Sequence, residues 1–295
     1  MQISMFDGVK PLKINKPVRL IELFGGIGSQ AKALERLGVD FEHYRLCEID
    51  KYAVKSYNAI HGTDFTPSDI TKLTGEDLGI VDTDKYFYIL TYSFPCQNLS
   101  RAGKQQGMAK GSGTCSGLLW EVERLLTEVF RGGGGLPQLL IMENVPEVVG
   151  VKNVEHFAEW IKFLDGLGYT SKWQILNAKN YGVPQNRARC FMVSWLGDYY
   201  YDFPAEKPLQ KKLKDVLEEH PDKKYYLSLK GQEYIIARLG KYSQIVDYET
   251  EVAKSAIMAK GNANWTGNFV KDKEVSNTVR GGGEEALTGT RGILL

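Results

Sequence analysis

The side chain best suited to act as a nucleophile is the thiol of Cys96. It stands in Phe94-Pro95-Cys96-Gln97-Asn98, just after the apolar run Tyr86 to Tyr92, where the chain turns polar at once. Pro95 sets the backbone before the thiol, and the nearby cations Arg101 and Lys104 favour the thiolate, the form that attacks carbon. Cys47 and Cys190 fall inside apolar strand patterns and read as inert, while Cys115 lies in a polar, glycine-rich stretch. Glu143, in Glu143-Asn144-Val145, closes another apolar run. A partly desolvated carboxyl group there can keep a proton and donate it to a ring nitrogen. In Gln185-x-Arg187-x-Arg189, alternation sends both guanidinium groups to one face, where they can hold a phosphate and a carbonyl oxygen. Each feature has a plain alternative: a core thiol, a helix cap before Pro146, and surface arginines at a strand entry.

A second constellation lies near the N-terminus. The run Val18 to Leu23 meets Phe24-Gly25-Gly26-Ile27-Gly28 and then the helical pattern from Ser29 to Leu37, closed by Gly38. Gly26-x-Gly28-x-x-Ala31 is a relaxed dinucleotide fingerprint, and Glu48 stands where a carboxylate can accept from two ribose hydroxyls. The pattern fits a nicotinamide dinucleotide, S-adenosylmethionine, or a tight turn without a ligand. Phe24 within the loop favours S-adenosylmethionine, because an aromatic face attracts a sulfonium or stacks on adenine. Asp69-Ile70 offers a carboxylate and an apolar side chain for an adenine edge and face, or else an N-cap and a core residue.

The elements that must position these groups alternate. Strands are expected at Val18 to Leu23, Tyr44 to Glu48, Tyr86 to Tyr92, Leu139 to Glu143, Thr170 to Leu176 and Arg189 to Trp195. Helices are expected at Ser29 to Leu37, Lys51 to Ile60, Leu118 to Phe130 and Val154 to Leu167. That order predicts an α/β fold with a parallel, doubly wound sheet. Residues 97–117 carry five glycines and read as a mobile surface loop. After about residue 205 the chain becomes Lys-, Glu- and Tyr-rich. The domains expected are a tail over 1–17, a catalytic and cofactor-binding domain over 18–200, and a smaller region over 201–295.

Composition narrows the classes. The 37 Lys and Arg nearly cancel the 36 Asp and Glu of the 295 residues, so any nucleic-acid binding must come from local patches. Four cysteines without CxxC spacing predict neither a disulfide framework nor a metal site, and fit a reduced cytoplasm. No apolar leader and no membrane-length run is present, so no membrane partner is expected.

Taken together, Glu22-Leu23-Phe24-Gly25-Gly26-Ile27-Gly28, Glu48, Asp69-Ile70, Pro95-Cys96-Gln97, Leu118-Leu119-Trp120, Glu143-Asn144-Val145 and Gln185-Asn186-Arg187-Ala188-Arg189 resemble the DNA cytosine-C5 methyltransferase family, bacterial and phage type. The resemblance covers residues 18–197. It implies a Rossmann-like S-adenosylmethionine-dependent methyltransferase fold with a second, smaller and partial target-recognition domain. It implies methyl transfer from S-adenosylmethionine to carbon 5 of a cytosine flipped out of double-stranded DNA, through a covalent Cys96 adduct. Glu143 then contacts the ring, Arg189 holds its carbonyl oxygen, Arg187 meets a phosphate or the thiolate region, and Asn144 shapes the loop carrying Glu143. Phe24, Gly26, Ile27, Gly28, Glu48, Ile49, Asp69, Ile70, Pro95 and Leu119 inherit cofactor contacts. Gln97, Ser100, Arg101, Lys104 and Gln185 inherit DNA contacts, with Lys110 adding charge.

Departures from the family pattern are Glu22 for Asp and Ser29 for Gly. The motifs expected after Val275 to Gly283 are not found before Leu295. This predicts a recognition region lacking the C-terminal motifs, and an alternative in which the chain is a split or impaired methyltransferase, or a DNA-binding remnant. The protein partners that would follow are a second polypeptide carrying those motifs and a cognate restriction endonuclease. The family's RNA-modifying branch is disfavoured, since residues 198–295 hold no cysteine.

Overall fold

The structure is a computed structural model that describes residues 14–99 and 107–216, together with 10–11, 218–219, 222, 228 and 276–277. The chain divides into two compact units, Met1–Leu176 with Ala188–Ala205, and Asn177–Arg187 with Glu206–Leu295. The sequence pattern places residues 177–187 in the catalytic domain; here they belong to the second unit.

The first unit is built on a six-stranded sheet: β1 (Val18–Leu23), β2 (Phe41–Cys47), β3 (Phe87–Tyr92), β4 (Leu139–Asn144), β5 (Tyr169–Asn177) and β6 (Ala188–Leu196). Their spatial order is β2-β1-β3-β4-β6-β5. The helices are α1 (Ser29–Arg36), α2 (Lys51–His61), α3 (Leu119–Arg131) and α4 (Val154–Gly166). β3 is buried at every position, which suits a strand covered on both faces. The larger core cluster joins the inner face of α3, including Val122, Leu125 and Leu126, to Leu90, Tyr92, Met142 and Trp160. A smaller one seats Ala31, Val54 and Tyr57 on Leu20 and Ile89.

The sheet is not wholly parallel. β1, β2, β3 and β4 pair in parallel, but β6 runs antiparallel to β4, with Asn144 opposite Cys190 and Glu143 opposite Phe191. This has a direct effect on the chemistry. Parallel strands present their exits at the carboxyl edge, whereas an antiparallel strand presents its entry there. Arg189, at the start of β6, therefore stands at the edge where β4 delivers Glu143.

The stretch expected as a mobile loop is anchored where it is described. Met108 is fully buried, and its carbonyl oxygen accepts from Trp120 Nε1 at 2.8 Å. The Gly107 amide donates to Asn98 O at 3.1 Å, and Cys115–Leu118 forms a 3-10 turn capped by Thr114. The glycines permit a folded, non-repetitive path here. Among the described residues, no helix is long and apolar enough to cross a membrane.

Within the second unit, Gln185–Asn186 pairs in parallel with Ser276–Asn277. The Arg187 amide donates to Asn177 Oδ1 at 3.1 Å, and Tyr181 forms a bridge with Lys207.

Candidate active site

Cys96 is half-buried and unpaired as a disulfide, on the turn that follows β3. Three side chains hold that turn. Asn144, at the end of β4, donates from Nδ2 to Phe94 O at 3.0 Å and accepts the Val145 amide on Oδ1 at 2.8 Å. Ser116 is fully enclosed; its hydroxyl donates to Pro95 O at 2.7 Å and accepts the Asn98 amide at 3.2 Å. Gln30 Nε2 in α1 donates to Ser93 Oγ at 3.0 Å. Cys96 is thus bracketed on both sides, with Ser116 tying Pro95 to Asn98. Asn144 does more than shape its own segment, since it also ties the ends of β3 and β4 together. Ser116 left no sequence signal beyond being a polar residue before an amphipathic helix.

Arg189 Nε lies 2.9 Å from Glu143 Oε1, both side chains being about four-fifths shielded. The pair joins a cation and a carboxylate at one sheet edge, a set able to grip an amide-like ring edge of donors and acceptors. Gln97 is exposed beside Cys96. Ser100, Arg101 and Lys104 lie outside the described residues. Lys110 is engaged with Glu123 at 2.5 Å and sits over the Trp120 ring. Gln185 and Arg187 belong to the second unit. Of the other thiols, Cys47 and Cys190 are buried and Cys115 is exposed. Burial pushes the Cys190 thiol up to about 12 and raises that of Cys47.

The glycine loop is organised by two carboxylates. Glu48 Oε2 accepts the Gly26 amide at 3.0 Å while Oε1 accepts the Asp50 amide at 2.9 Å. Glu22, fully enclosed, accepts the Ala31 amide at 3.3 Å and the Tyr57 hydroxyl at 2.5 Å; burial raises its carboxyl group above the ordinary range. Glu22 therefore caps the first turn of α1 from beneath. Phe24 adopts φ 56°, a left-handed conformation costly outside glycine, and a mark of a segment fixed by its surroundings. Gly28, at φ 82°, has no room for a Cβ against His61 and Tyr57. Ile27 and Ile49 are both exposed, which leaves two apolar side chains in solvent on the segments that Glu48 joins. Asp69 caps the turn Ile70–Lys72 by accepting the Thr71 amide at 3.0 Å. Ile70 is a core residue, and Leu119 is fully buried at the start of α3 with no surface to offer a ligand in this conformation.

A glycine loop braced by acids, a thiol on the turn after β3 and an acid-arginine pair on the next two strands combine in the order that the sequence motifs require. The family profile described as C-5 cytosine-specific DNA methylase matches residues 18–288. The chain belongs to that family. S-adenosylmethionine is the methyl donor of the C-5 cytosine methylases. The type II methyltransferase M2.ScrFI of Lactococcus lactis subsp. cremoris is 31% identical over 86% of this chain and 78% of its own length. The orphan methyltransferase M.SssI of Spiroplasma monobiae is 34% identical over 68% of this chain and 65% of its own, so the chain spans under two thirds of that relative. Among solved structures, S. pombe Dnmt2 methyltransferase shares the fold at a TM-score of 0.57 and 23% identity, covering 77% of this chain and 67% of the other.

The residues of the glycine loop fit that donor. The position above Gly26 is open, Glu48 is only half-buried, and the exposed isoleucines can flank an adenosyl group.

Proposed function

We propose that this chain methylates carbon 5 of a cytosine flipped out of double-stranded DNA. The observation that carries this reading is the Cys96 turn, bound through Asn144 to the strand that presents Glu143 to Arg189. The reacting carbon lies inside the base stack, so the nucleotide has to leave the duplex to meet a thiol on a fixed turn. The Cys96 thiolate forms a bond to carbon 6 of the ring. Glu143 contacts N3 and the exocyclic amine, and Arg189 the carbonyl oxygen, so that the charge displaced into the ring is held as carbon 5 becomes nucleophilic. S-adenosylmethionine would be held by Phe24, Gly26, Ile27, Gly28, Glu48, Ile49, Asp69 and Pro95, and would supply the electrophilic methyl group that carbon 5 takes up. Loss of the carbon 5 proton to a base and departure of the Cys96 thiolate restore the aromatic ring.

Gln97, Ser100, Arg101, Lys104, Gln185 and Arg187 contact DNA in this reading. Residues 201–295 supply target recognition, and the cytoplasm is the compartment. Bisulfite sequencing of host DNA from cells expressing the chain tests the activity: methylated cytosines are expected, and a Cys96→Ser variant should leave none. Expressing the chain with and without the adjoining reading frame separates an enzyme sufficient alone from one completed by a second polypeptide. Methylation by the Cys96→Ser variant would refute the assignment of Cys96.

A further inference from the structure

Glu35 in α1, His43 in β2 and His61 at the end of α2 converge so that one ligand atom from each lies within 4.8 Å of the others. The His61 side chain is wholly enclosed. Its Nδ1 is 2.6 Å from Glu35 Oε1 and its Nε2 is 3.3 Å from the Ile27 carbonyl oxygen. Two acceptors thus face the two nitrogens of one ring. A neutral imidazole has a single N–H; placed on Nε2 toward the Ile27 carbonyl oxygen, it leaves the Nδ1 lone pair facing the Glu35 carboxylate, as a shared cation requires.

We propose that a zinc-type divalent ion binds here, with Glu35, His43 and His61 as its ligands and water completing the shell. Two imidazoles and a carboxylate form a donor set that zinc uses. The His43 and His61 ring centres are 5.0 Å apart. Two imidazoles on one tetrahedral ion, with Zn–N bonds of about 2.0–2.1 Å, place their ring centres about 5 Å apart. Outer contacts already orient the ligands. His43 Nδ1 is 2.8 Å from the Tyr57 hydroxyl, which donates to Glu22, and the second Glu35 oxygen is 2.6 Å from Lys32 Nζ. To admit the ion, the Glu35 carboxylate withdraws from His61 by roughly 0.7 Å and the ligand atoms now up to 4.8 Å apart draw in, toward the ~3.3 Å separation of ligands on a tetrahedral centre. The Glu35 side chain is 31% exposed, which leaves it room to shift with Lys32.

The ion ties α1, β2 and α2 together beneath the glycine loop, since Ile27 and Gly28 both rest on His61. Occupancy therefore stabilises this unit and stiffens the cofactor loop.

The test is titration of the whole, chelator-treated chain with Zn(II), and with Co(II) as an optical probe. A Cys96→Ala/Cys115→Ala background removes the accessible thiols that also take zinc. The expected result is one ion per chain, a raised Tm and the visible bands of a tetrahedral N/O site. Glu35→Gln and His43→Gln, which leave the enclosed His61 in place, should weaken binding on the order of tenfold or more. Circular dichroism melts without metal establish that both variants fold. Absence of binding, or binding equal in the background and both variants, overturns the proposal. No DNA and no methyl transfer enter the measurement, so its outcome is separate from that of the proposed activity.

Discussion

The glycine loop and the Cys96 turn both sit at the carboxyl edge of the sheet, yet they are held by different chemistry. Around the loop, the carboxylates of Glu22 and Glu48 accept backbone amides from Ala31, Gly26 and Asp50. Around the turn, neutral groups act: the Ser116 hydroxyl, the Asn144 amide and the Gln30 amide. The difference follows from what each segment must carry. Anions suit a loop of free amides at a helix start, where the helix dipole is positive. A turn carrying the proposed nucleophile is suited by uncharged partners, since a carboxylate beside any thiol disfavours its thiolate.

The comparison can be broken most forcefully at Glu22. Glu22→Ala leaves two enclosed donors without acceptors and should cost about 3 kcal/mol of unfolding free energy, read by urea denaturation. Glu22→Gln, which keeps an acceptor, should cost distinctly less. Ser116→Ala should lower stability by only about 1–2 kcal/mol, yet slow methyl transfer at saturating cofactor by roughly tenfold, since a displaced nucleophile loses its alignment. Its Kd for S-adenosylmethionine should stay unchanged; a parallel loss of cofactor affinity would erase the distinction between the regions. Glu48→Gln is the mirror experiment. Cofactor affinity should fall by about tenfold while the rate of Cys96 labelling by a thiol reagent is preserved.

The smallest effect concerns pH. The buried Cys190 thiol is held at about 12, above its ordinary value of 9.0. A raised value in the folded state means that its contribution is fully present below about pH 9 and is lost as pH rises toward 12. Denaturation midpoints should therefore fall across that window, and Cys190→Ala should flatten the fall. At neutral pH, thiol reagents should modify Cys96 and Cys115 well before Cys47 and Cys190.

Much of the candidate site was legible in the sequence because its motifs are local. Glycines with an acid after the next strand, Pro95-Cys96 after an apolar run and Glu143-Asn144 ending another each declare themselves within a few residues. What escaped depends on contacts far apart in the chain. Tyr57 reaches Glu22 across 35 positions, and Ser116 reaches Pro95 across 21. Strand direction escaped as well. Hydrophobic patterning does not distinguish a parallel from an antiparallel final strand, although that choice brings Arg189 to Glu143. In the described part of the glycine-rich stretch, glycine frequency reports backbone freedom, while the burial of Met108 and Ser116 adds tertiary packing that the sequence does not declare. Glu22, a departure from the family's Asp, has the length to reach Tyr57 and Ala31 at once.

The proposed reaction depends on a bond between Cys96 and the cytosine ring. A duplex carrying 5-fluorocytosine tests it, because fluorine cannot leave carbon 5 as the proton does, and the adduct is trapped before the thiolate departs. With S-adenosylmethionine present, the account predicts a protein-DNA species stable to denaturing electrophoresis, formed by the native chain and not by Cys96→Ser. An adduct that persists in Cys96→Ser, or methylation of ordinary DNA with no trapped species on the fluorinated duplex, would contradict it.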